Sequence, residues 1–98
     1  MVKKQRADDV VRWTLTKQDG EGEPVVVERR AFAIQISGGP VTITGRISPA
    51  DDFVPIHDRR GTPILHVASG IYFCDLPLHE IAPQSSADAT VAISLLRH

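Results

Sequence analysis

Four histidines and one cysteine are the residues best suited to hold a metal or move a proton: His57, His66, His79, His98 and Cys74. A zinc site needs ligands that one turn or hairpin can converge, and the sequence has neither a C-x-x-C nor an H-x-x-x-H pair. His57 and His66 could face each other across a hairpin, which would be a chance pair. The expectation is surface or half-buried histidines and no metal. Cys74 lies in the apolar run Ile71 to Cys74 with no cation or helix start beside it to lower its pKa, so it reads as a small buried hydrophobe.

Hydrolytic chemistry finds no better support. Asp51 and Asp52 are adjacent, and neighbours in an extended chain point to opposite faces, so they read as a polar turn. His57-Asp58 resembles a fragment of a dyad, yet Asp58 is better placed as the first residue of a turn. Ser85 and Ser86 lack a G-x-S-x-G setting, and Gly38-Gly39 leads into Pro40, not a helix start that could cradle phosphate. No catalytic, metal or cofactor site is expected, and the chain is expected not to be an enzyme. If it were one, His57, His66 and Asp58 would be its residues.

Trp13 and Tyr72 are the only residues that would serve as a sugar-stacking platform, and both lie in apolar strand contexts, where packing is the simpler role. An exposed Trp13 or Tyr72 would mark the alternative function, a carbohydrate- or receptor-binding module.

Eleven Lys and Arg against twelve Asp and Glu give a net charge of −1, which leaves no basic footprint for nucleic acid. The basic residues that cluster are Lys3, Lys4 and Arg6, then Arg29-Arg30 and Arg59-Arg60, each with acids nearby. They read as solvated positions. No apolar run exceeds four residues, too short for a membrane-spanning helix or the apolar stretch of a secretory signal, so synthesis in the cytoplasm is expected.

The elements that must position these residues are strands. Ten Val, nine Ile and six Thr pack well on a pleated surface, while seven Gly and seven Pro cut the chain into short extended pieces. Residues 1–9 are polar and aperiodic and read as a flexible arm preceding one domain over 10–98. In Val11 to Thr16, Val11, Trp13 and Leu15 alternate with polar residues. Asp19-Gly20 suits a hairpin connection. Val25 to Ser37 reads as one bent strand or two short ones, and Val41 to Ile47 as a strand whose apolar face Gly45 interrupts, a sign of a bulge or close backbone approach.

Phe53 to His57 and Pro63 to Val67 flank Asp58-Arg59-Arg60-Gly61, a hairpin turn. Ile71 to Cys74 is a further strand. Asp75 to Pro83 reads as irregular, with room for one helical turn near Leu78 to Ala82. Thr90 to Leu96 closes the chain with Val91, Ile93 and Leu95 on one face. Seven or eight short strands predict an all-β fold, a small antiparallel sandwich or barrel-like sandwich.

From Val41 onward the order of features is also that of a known group. The strand Val41-Thr42-Ile43-Thr44-Gly45-Arg46 is followed by Phe53-Val54-Pro55-Ile56, the turn Asp58 to Pro63, Gly70-Ile71, Ile81-Ala82-Pro83 and a last alternating strand. This resembles the small β-sandwich virion proteins of tailed bacteriophages, whose pattern runs V-T-V-x-G-S, W-x-P-L-x-D-x-x-G, G-I and I-R-P. Phe53 stands where that family often has Trp, and Ala82 where it often has Arg. The resemblance spans about residues 41–96. It implies a virion structural protein, a head decoration or cement subunit or a head-tail or tail component, oligomeric and docked on capsid, portal or tail proteins. Lys3, Lys4, Arg6, Trp13, Arg59 and Arg60 would then be the partner contacts.

Overall fold

The computed structural model describes residues 1–7, 9–56, 65–67 and 69–95, the backbone alone for 65–67. Ten strands appear among them: β1 Gln5–Ala7, β2 Val10–Leu15, β3 Val25–Val26, β4 Phe32–Gly38, β5 Val41–Arg46, β6 Val54–Pro55, β7 Leu65–Val67, β8 Gly70–Cys74, β9 Glu80–Ser85 and β10 Ala89–Leu95. Every pairing of these strands is antiparallel. They form two facing sheets, one ordered β1-β2-β10-β4-β8, the other β3-β9-β5-β6 with β7 also on β5.

The expected alternation builds the core between the sheets. Val11, Trp13 and Leu15 of β2, Ile34 and Ile36 of β4, and Val91 and Ile93 of β10 meet Val41 and Ile43 of β5 and Ile81 of β9, all buried. Thr44 is the one buried polar residue among those described, and its hydroxyl donates to the Ala82 carbonyl at 2.9 Å. That bond removes the cost of an unmet hydroxyl in the core.

The segment Val25 to Ser37 resolves into two strands in different sheets. Glu28 and Arg29 take positive φ between them, and Arg30 N–H donates to the Val27 carbonyl at 2.9 Å, which turns the chain from β3 to β4. Gly45 marks a close approach: a Cβ there would sit 3.1 Å from Leu78 Cδ1 and 3.2 Å from both the Glu80 carbonyl oxygen and Ile56 Cγ2.

Four sequence expectations are corrected. Residues near the N-terminus do not form a free arm. β1 pairs with β2, Val2 N–H donates to Glu21 O and Glu23 N–H to Val2 O, both at 2.7 Å. This is backbone pairing, which needs no apolar side chains and so leaves no periodic signal. Asp19-Gly20 makes a tight turn, with Thr16 N–H donating to Asp19 O, but joins β2 to the opposite sheet and not to a hairpin partner.

Within the described residues β6 and β7 do not pair with each other; each pairs with β5 instead. The turn expected between them, Asp58 to Gly61, lies outside the described residues. Lastly, the segment expected to be irregular contains β9. Pro83 concealed it, because proline donates no ladder bond. The Pro83 carbonyl accepts from Gly22 N–H at 2.8 Å, so this residue turns its backbone groups away from β5 and costs the β5–β9 ladder nothing.

Candidate docking surface

Of the residues expected to contact a partner, Trp13 is corrected. Its side chain is fully buried, and its indole Nε1–H donates to the Glu23 carbonyl at 2.9 Å. It pins the Gly22 to Pro24 crossing onto β2 and reaches no surface. Lys4 likewise serves the fold: Nζ lies 3.2 Å from Glu23 Oε1 and donates to the Pro24 carbonyl at 3.0 Å. The hydrogen bonds and charge of Lys4 hold the Glu23 carboxyl below the usual carboxylate range. Lys3 and Arg6 are exposed on and beside β1. Arg59 and Arg60 lie outside the described residues.

Among the described residues, those considered for chemistry are not gathered either. His79 Nε2 lies 3.6 Å from Glu80 Oε1, and Cys74 is buried on the inner face of β8, where desolvation pushes its thiol pKa up. His57, Asp58 and His98 are outside the described residues, as is the side chain of His66. Among the described residues no three His, Cys, Asp or Glu side chains come together as a metal would require. Asp51 closes the polar turn expected of it, its carboxylate accepting from Ser48 Oγ at 2.8 Å.

Arg46 organises the end of β5. Its Nε donates to Glu80 Oε1 at 3.0 Å across the β5–β9 pair, Nη1 reaches the Pro49 and Asp51 carbonyls, and the guanidinium lies 4.6 Å from the Phe53 ring centroid. A cation over an aromatic face adds to the charge-assisted bonds that hold the 47–53 loop. Beside it opens a groove of about 410 Å³ floored by Gly45, Ile56 and Leu78 and rimmed by Ile47, Val54 and Asp52.

The apolar surface with the simplest geometry is β8. Ile71 and Phe73 are 72% and 58% exposed, while Tyr72 and Cys74 turn inward. Their neighbours on β4 are Gln35 and Ala33, which leave both side chains uncovered.

The backbone is equally open. Gly39 N–H donates to Asp88 O at 3.0 Å and continues the β4–β10 register, so the odd-numbered residues of β4 bond to β10. Phe32, Ile34 and Ile36 therefore turn their N–H and C=O toward β8, where they face Cys74, Tyr72 and Gly70. Ile71 and Phe73 must then direct theirs outward. β8 ends its sheet, and no described segment pairs with that edge. Unlike β1, which carries Arg6, it has no charge or proline to discourage pairing.

No protein-family description and no curated protein matches the sequence. Solved structures do match in three dimensions. The Drosophila melanogaster CENP-C cupin domain superposes with a TM-score of 0.54 at 3% identity, over 94% of this chain and 63% of that one. A cupin superfamily protein from Desulfitobacterium hafniense gives 0.53 at 15% identity, over 95% and 72%. The fold is a cupin-like β-sandwich.

Oxalate oxidase is also similar, at 0.53 and 11% identity, over 88% of this chain and 40% of that one. The cupin-like fold thus corrects one expectation. The chain was expected not to be an enzyme, yet the sandwich it forms is one that an oxidase also has, so the architecture gives no ground for excluding catalysis. At these identities the likeness extends to the fold alone.

Proposed function

We propose that this chain is a virion structural protein of a tailed bacteriophage, a subunit that enters its assembly through the open edge of β8. The strand-and-turn order over residues 41–96 supports the virion reading. The observation that carries the docking reading is the pair Ile71 and Phe73, two large apolar side chains exposed on one face of an edge strand whose outer side pairs with no described segment. Edge strands recruit partners by main-chain hydrogen bonds, and the alternate side chains then supply specificity. The sugar-binding alternative needs an exposed Trp13 or Tyr72; Trp13 is buried, and Tyr72 is half-buried and turns inward.

The function places the chain in the particle after synthesis in the host cytoplasm. Its partners are further copies of this chain and capsid, portal or tail subunits, with no membrane and no direct nucleic-acid contact. The test is mass spectrometry of tailed particles purified from cells carrying this gene. The reading expects the chain in many copies per particle, and its absence from intact particles would refute the reading.

A further inference from the structure

We propose that β8 pairs antiparallel with β8 of a second copy of this chain, joining two five-stranded sheets into one ten-stranded sheet about a two-fold axis at Tyr72. The inference rests on β8 being the docking strand and names its occupant.

The register follows from which backbone groups are free. Only Ile71 and Phe73 of the strand turn N–H and C=O outward, so a symmetric ladder must place these two residues in its hydrogen-bonded positions. Three symmetric registers do so. Centring on Ile71 sets Phe73 opposite Ser69, and centring on Phe73 sets Ile71 opposite Asp75; each leaves an apolar side chain against a polar one. Centring on Tyr72 pairs Ile71 with Phe73 of the second copy, and the reverse. Each pair exchanges two main-chain hydrogen bonds, and all four exposed apolar side chains meet on one face.

Charge permits a second copy at this edge and opposes one at the other. β8 is neutral from Gly70 to Cys74, and in the Tyr72 register Asp75 falls opposite Ser69, so no like charges meet. Pairing β1 with itself would bring Arg6 and its neighbours Lys3 and Lys4 together with their copies, which repel.

Light scattering behind a sizing column tests this over a roughly hundred-fold concentration range. The wild-type chain is expected to reach twice its 10.7 kDa mass. Ile71→Lys/Phe73→Lys, at exposed positions, should halve that mass while leaving the chain folded, with a cooperative thermal transition of its own. The register has its own readout: oxidising a mixture of Ile71→Cys and Phe73→Cys chains should give the mixed cross-link in excess over either chain with itself. A wild-type monomer throughout, or a dimer that persists in the double-lysine variant, overturns the proposal. A monomer whose double-lysine variant is nonetheless lost from particles overturns the second copy and leaves the docking reading standing. A dimer absent from every particle does the reverse.

Discussion

Ile71 and Phe73 stand two residues apart on the outward face of β8, and both turn their backbone N–H and C=O groups to the same open edge. On the adjoining strand β4 the arrangement is the opposite: Ile34 and Ile36 are buried, and they turn their N–H and C=O groups to β8, not to an open edge. Removing apolar surface from water at about 25 cal/mol per Å² is what would reward covering the β8 pair.

Because those side chains touch little of their own chain, Ile71→Lys/Phe73→Lys is expected to change the unfolding free energy of the single chain, compared at dilutions where the wild type is monomeric, by no more than about 0.5 kcal/mol per site. Ile34→Ala on the adjoining strand should cost about 2–5 kcal/mol. Urea unfolding followed by circular dichroism compares them. A large loss from the lysine pair would mean that β8 is integral to the core and not a free edge.

Trp13→Phe is expected to destabilise the fold by about 1–3 kcal/mol, since the Glu23 carbonyl loses its indole donor. The same unfolding experiment reads it. The wild-type indole should also resist iodide quenching, being sealed in the core.

Gly45→Ala should cost about 1–3 kcal/mol. The added methyl meets the Glu80 carbonyl, which is backbone and cannot step aside as Leu78 can. A shift of the melting temperature downward is the expected result.

The alternation of one apolar and one polar face made β2, β5 and β10 legible in the sequence. β9 was not, because Pro83 and the flanking Pro77 look like breaks when the pairing partner is unknown. β8 hid its orientation for a different reason. Ile71-Tyr72-Phe73-Cys74 is apolar at every position, so periodicity could not say which pair faces outward; the phase of the β4 ladder decides it. Trp13 had the type of an interface residue on an apolar strand face, and the Glu23 carbonyl above it shows how its indole N–H is satisfied inside.

Glu23 gives the fold a pH dependence. Its carboxyl is held below the ordinary value of 4.5 by Lys4, so the tether contributes fully above that value and is lost as pH falls through the lowered pKa. Hydrogen exchange should show the amides of Val2 and Glu23 losing protection, as the pH falls through the lowered pKa, before the β10 amides do. Lys4→Ala should remove that difference.

The central claim is that β8 docks this chain to its assembly, and retention on particles tests it most directly. Particles assembled with wild-type chain are compared with particles assembled with Ile71→Lys/Phe73→Lys chain at equal expression, and the bound copies are counted by quantitative mass spectrometry. The account predicts that the variant, folded and soluble, falls at least tenfold in copies per particle. Equal copy numbers for the two chains would contradict it.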